Sequence, residues 1–331
     1  MKQMFSAERF YLVAHILAMA FGLAGLLVVL PHPELISGLS NFGQTLFEWG
    51  MSGGGVFYIL LGAIAVSLYA RRTLGNAAWF AFLLPSVFLS LTSELLGTST
   101  GFPFGDYSYL SGLGYKIAGL VPFTIPLSWF YLGFVSYVMA RAGLEPFRKQ
   151  GESGKLPGWL VQGLSIALGS LLLMSWDFVL DPAMSQTSYP FWYWHQPGAF
   201  FGMPYQNFLG WFGTGAVFMT VAALIWERMP HLKDLFQQKD SKKPDLTFPL
   251  IVYISDFTFA TVLSLAAGLW IPVVLGVFVG VLPAVSLCWL AWSQASRNPN
   301  EVEALDSIPA RVSGVVSPKT APTSVKVSSK L

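Results

Sequence analysis

Residues 94–130 read ELLGTSTGFPFGDYSYLSGLGYKIAGLVPFTIPLSWF, and residues 177–212 read DFVLDPAMSQTSYPFWYWHQPGAFFGMPYQNFLGWF. Each stretch starts with an acid at the end of an apolar run, passes through an aromatic loop and enters a second apolar run through proline. In the first, Glu94 closes the run, residues 102–109 form the loop, and Pro122-Phe123 leads to Leu127, Trp129 and Phe130. In the second, Asp177 and Asp181 close the run, residues 189–194 form the loop, and Pro204-Tyr205 leads to Leu209, Trp211 and Phe212. The constant offset reads as a parallel pseudo-repeat of helix pairs three-four and five-six. Coincidence between aromatic-rich membrane segments is the competing explanation. Acids at membrane depth are costly and tend to mark function, so the two corners are expected to face each other across one site.

The rest of the chain supplies the membrane setting. Of its 331 residues 54% are hydrophobic and 11% charged, which is too apolar for an ordinary soluble protein. The fold class expected is all-α, a polytopic integral membrane protein of about eight transmembrane helices. The spans fall at 10–30, 50–70, 77–96, 117–140, 159–180, 207–226, 248–268 and 271–292. Cations collect in every second loop, at Arg71 and Arg72, at Arg141, Arg148, Lys149 and Lys155, and at Arg228, Lys233, Lys239, Lys242 and Lys243, while Lys116 is the one cation of the intervening loops. That asymmetry places both termini in the cytoplasm and the aromatic loops on the opposite side, in a bacterial plasma membrane or similar. The first span is too long for a signal peptide and lacks a clear cleavage site, so it reads as an uncleaved helix. Residues 1–292 form one membrane domain and 293–331 a disordered cytoplasmic tail rich in Ser, Pro, Lys and Val. The charged loop 227–247 reads as a short linker, and 268–272 as a tight hairpin turn.

The acids each admit two readings. Glu94 is either an interfacial carboxylate reaching water or a carboxyl kept protonated by an apolar setting. Asp177 and Asp181, four apart, share a helix face and divide into acid and base, unless Asp181-Pro182 is a helix-ending turn. Asp256, deep in the seventh span, makes a polar contact inside the bundle, structural or with substrate. Asp106 is by default a turn residue after Gly105 but stays among the catalytic candidates, as does His195. The tryptophans and tyrosines form either an interfacial belt or a cage that stabilises a cation.

Several classes are excluded. Four histidines cannot form a histidine-rich diiron site. A strand-coupled GxGxxG and a P-loop are both missing, so flavin, nicotinamide and ATP are not expected. No aspartate-rich pair for magnesium pyrophosphate occurs, and Phe104-Gly105-Asp106 is one glycine short of the intramembrane aspartyl protease signature. Cys288 is the one cysteine, which leaves no disulfide framework and no cysteine metal cluster. The net charge of +2 does not point to nucleic acid.

Ser93-Glu94, Gly101, residues 104–109 and 120–130, then Trp176-Asp177, Asp181-Pro182, residues 192–194 and 202–212, resemble the carotenoid biosynthesis membrane protein family, over roughly residues 90 to 215. Within it the resemblance is to the carotenoid 1',2'-hydratases, which add water to the terminal double bond of γ-carotene or of a bacterioruberin precursor. It implies a lyase with no cofactor and no metal, a carotenoid substrate held in the lipid bilayer, and, by family analogy alone, a carotenoid glycosyltransferase as partner. Protonating an acyclic ψ end gives a tertiary cation that water captures. The substrate partitions into the bilayer and enters between helices. Glu94 or Asp177 is the expected proton donor, with Asp181, Asn207 and His195 placing water and Trp129, Trp192 and Trp211 flanking the cation. Tyr107, Tyr109, Trp194 and Asp256 complete the expected substrate contacts. Ring closure, as in a lycopene cyclase, and a transporter or pigment-binding protein are the alternatives.

Overall fold

The computed structural model describes residues 6–149, 155–187, 189–237 and 245–295. Among these, seven helical runs are long and apolar enough to cross a membrane: Ala7–Val29, Gly53–Leu74, Asn76–Thr100, Gly158–Met184, Tyr205–Trp226, Thr247–Ala266 and Trp270–Ser293. The chain is a polytopic, mostly helical membrane protein.

In order, α1 (Ala7–Ala24) continues as a π-helical turn over Gly25–Val29, followed by α2 (Pro33–Ser37), α3 (Asn41–Leu74) and α4 (Asn76–Thr100). Next come α5 (Ile125–Leu144), α6 (Gly158–Met184), α7 (Tyr205–Trp226), α8 (Pro230–Gln237) and α9 (Thr247–Ala266). Last are α10 (Trp270–Gly276), a π turn over Val277–Val281, and α11 (Leu282–Ala295). The helix α3 spans 34 residues, roughly 51 Å, and so outruns the expected span 50–70 by a start at Asn41. The Ser40 hydroxyl caps it by accepting from the Gly43 amide. Between α3 and α4 the chain turns at Gly75, φ 86°, and α4 ends at Gly101, φ 78°, both in the left-handed region where glycine carries no Cβ penalty.

The expected span 117–140 needs correction. Residues 116–122 form a short antiparallel pair, β2 (Lys116–Ile117) with β3 (Val121–Pro122), and the helix starts only at Ile125. With 20 residues α5 is roughly 30 Å long, yet it is more polar than the seven runs above. Its neighbours explain this: α5 packs against α3, α4, α6, α9 and α11 at once, so nearly all its side chains are buried in protein. Tyr131, Tyr137 and Arg141 then find partners inside the bundle, Arg141 with Glu145 and the Tyr137 hydroxyl.

Two loop expectations also change. The linker 227–247 contains α8, whose Leu232 and Phe236 are buried, Phe236 under Arg141 and stacked on Trp226; residues 238–244 lie outside the described residues. The aromatic loops contain strands, β1 (Tyr107–Tyr109) and β4 (Trp192–Trp194). The chain turns at Gly268, φ 77°, but α10 already starts at Trp270, inside the expected turn 268–272. The helix α11 runs on to Ala295, past the expected boundary at 292, and the remainder of the tail lies outside the described residues.

Candidate active site

Alternation builds the floor of the site. The strands β1 and β4 pair antiparallel, Tyr107 opposite Trp194 and Tyr109 opposite Trp192. Side chains alternate faces along a strand, so Tyr107, Tyr109, Trp192 and Trp194 fall on one face, and all four line a cavity of about 60 Å³. Ser108 and Tyr193 fall on the other. The two aromatic loops, distant in sequence, thus close one end of the helix bundle together.

Three acids enter this cavity from two helices. Glu94, near the end of α4, is 2% exposed and accepts three hydrogen bonds. The Trp129 indole donates to Oε1 at 2.8 Å, and the Tyr109 and Tyr107 hydroxyls donate to Oε2, Tyr109 at 2.9 Å. Burial, and after it the Glu94 charge, pushes both tyrosines well above the ordinary phenol pKa, so their hydroxyls remain protonated donors. Asp177 and Asp181 project from the last two turns of α6, 4% and 2% exposed. One amide bridges them: Asn207 Nδ2 on α7 donates to Asp177 Oδ2 at 2.7 Å and to Asp181 Oδ2 at 3.2 Å. The Trp192 indole donates to Asp181 Oδ1. Among the described residues Asp177 Oδ1 has no protein donor, whereas the other five carboxylate oxygens of the three acids all do. The Trp194 Nε1–H is a buried donor that lies against Asp181 without a hydrogen-bond acceptor.

Phe104, Trp176 and Trp211 add aromatic wall, with Tyr58 and Ile59 from α3 on the far side. Phe104 is wedged between helices: a Cβ at Gly97 would come within 2.7 Å of its ring, and one at Gly210 within 2.4 Å. Trp211 stacks on Trp129 with centroids 3.9 Å apart. These two tryptophans are the ones the internal similarity equates.

Not every expected residue reaches the cavity. Trp129 is fully buried behind Trp211, where it holds Glu94 and does not line the space. Asp106 and His195 sit on the outer rim, with side chains 63% and 38% exposed; His195 hydrogen-bonds Ser108 at 2.9 Å. Solvent already satisfies polar groups on that rim, so nothing draws them inward. Asp256 belongs to another cluster: His15 Nε2 lies 3.1 Å from its Oδ2, and the Tyr131 hydroxyl donates to its Oδ1 at 2.8 Å. His15 Nδ1 in turn is 2.7 Å from the Tyr58 carbonyl oxygen, tying α1 to α3 and α9. Conversely, Tyr58, Ser128, Trp176 and Met184 line the cavity without having been expected. Trp176 was legible beside Asp177, whereas Tyr58 carried no signal because α3 has no acid or motif at that height.

A profile for the family described as carotenoid biosynthesis protein matches residues 54–283. Bisanhydrobacterioruberin hydratase of Haloarcula japonica is 33% identical over 124 residues, a match that spans 38% of each of the two proteins. No solved structure matches the chain.

Proposed function

The chain belongs to the carotenoid biosynthesis protein family, and from that premise we propose that it hydrates the terminal double bond of an acyclic ψ end group, as in γ-carotene or lycopene, to a tertiary alcohol. The observation that carries the reading is the aromatic cavity with one uncommitted carboxylate oxygen, Asp177 Oδ1. The similarity to a bisanhydrobacterioruberin hydratase supports it.

Asp177 and Asp181 share one Asn207 amide, and two carboxylates so close resist ionising together, so the pair retains a proton. From Asp177 Oδ1 that proton adds to the less substituted alkene carbon; the π electrons become the new C–H bond and leave a tertiary cation next to it. The faces of Trp176, Trp192, Trp194 and Trp211 border the cation. Glu94, held by its three donors, presents a carboxyl in a fixed orientation that needs no reorganisation as the cation forms. Water admitted to the cavity adds its oxygen to the cation, and its surplus proton returns to the Asp177–Asp181 pair. The sum is alkene plus water to alcohol, with no electron exchanged.

Expression in a bacterium that accumulates lycopene or γ-carotene, with pigments analysed by chromatography and mass spectrometry, tests the reading. A product heavier by one water is expected. An isomer of unchanged mass would mean ring closure, and unaltered pigment would mean binding or transport; either overturns hydration.

A further inference from the structure

A second cavity, of about 110 Å³, lies between α1 with its π turn and α3, next to the acid cavity. The two share Tyr58 and Met184 as common wall. Its lining runs from Ala18 to Val29, roughly 16 Å of helix. Among the described residues no charged side chain lines it. Glycines in membrane helices ordinarily let backbones approach closely. Here Gly50 and Gly55 follow that rule, a Cβ meeting Phe21 at 3.0 Å and the Gly112 carbonyl oxygen at 2.5 Å, whereas one at Gly22, Gly25 or Gly54 would meet no atom within 4 Å. The missing side chains keep a volume open, and any larger residue would fill it.

We propose that this cavity binds the polyene chain of the substrate, which enters from the lipid between α1 and α3 while its terminal isoprene unit reaches the acids past Tyr58 and Met184. The proposal rests on the acyclic-carotenoid reading of the acid cavity and specifies where the remainder of the molecule lies. Three observations select this occupant. The cavity adjoins the acid site, with Tyr58 and Met184 as the wall between them. It offers no charged group to a polar headgroup. It is the larger of the two spaces, as a small reactive end on a long apolar chain requires. Tyr58 is held at the junction by its carbonyl contact with His15 and by its ring against Phe259, with centroids 5.5 Å apart.

The test measures binding, so it does not depend on turnover. Gly54→Cys in the full chain, in phospholipid vesicles, is labelled with a small uncharged maleimide; the native Cys288 is buried. A full-length acyclic carotenoid is expected to slow labelling about tenfold, and a two-isoprene-unit hydrocarbon with the same end group to leave it unchanged. Equal rates with and without carotenoid would overturn the proposal, and slowing by the vesicle lipid alone would assign the cavity to an acyl chain instead. In parallel, Gly54→Leu is expected to weaken carotenoid binding, read by tryptophan quenching, about tenfold or more. Unweakened binding by a folded Gly54→Leu protein would also overturn it. Protection of Gly54→Cys together with unaltered pigment in the expression assay would sink hydration and leave the polyene site standing.

Discussion

Glu94 and Asp177 are both buried acids of one cavity, and their hydrogen-bond partners give them opposite roles. Glu94 spends both oxygens on three donors, while Asp177 keeps Oδ1 for a ligand. Glu94→Gln turns an amide toward the Tyr107 and Tyr109 hydroxyls and is expected to lower stability by about 3 kcal/mol, read as thermal unfolding in detergent. Asp177→Asn can still accept from Asn207 and is expected to lose less than about 1 kcal/mol while turnover falls about a hundredfold or more. If the two variants unfold alike, the division of labour is wrong. The acids themselves were legible because a charge in an apolar run stands out. Which one is uncommitted was not, because their donors come from far along the chain: Trp129 is 35 residues from Glu94, and Asn207 is 30 from Asp177.

At the scale of elements, the site depends on two strands and one wedge. The alternation in Tyr107-Ser108-Tyr109 and Trp192-Tyr193-Trp194 puts four aromatic rings on one face once the loops pair. Phe104 is gripped by α4 and α7 at Gly97 and Gly210. Gly210→Ala would press a methyl onto that ring with no room behind it, at a cost of about 1–3 kcal/mol. Lower thermal stability and lower turnover are expected together, with partial recovery on adding Phe104→Leu; unaltered turnover in Gly210→Ala would dissociate the wedge from the site. Apolar runs located most spans to within a few residues. They failed at 117–124, where residues as apolar as a helix form a hairpin, and at α8, where two buried side chains four apart, Leu232 and Phe236, are too few to register against a charged background.

Across the whole molecule, α5 is the axis. Its start, at Ile125 and Ser128, borders the acid cavity, and its far end carries the buried Arg141–Glu145 pair roughly 20 Å away. The basic loops lie at that far end, and from the positive-inside pattern we propose that the acid cavity faces the outer leaflet. Asp106→Cys is then expected to react with a membrane-impermeant thiol reagent on intact cells, and Arg228→Cys only after lysis; the reverse pattern would invert the topology. The placement also fits a reaction in which an apolar substrate arrives from lipid and meets the acids inside protein. The most direct measurement is turnover of an acyclic carotenoid in heavy-oxygen water by the reconstituted protein and its Asp177→Asn variant. A tertiary alcohol carrying the label, formed by the parent protein and reduced about a hundredfold in the variant, is the predicted result. Unlabelled product, or equal turnover by the two proteins, would contradict the account.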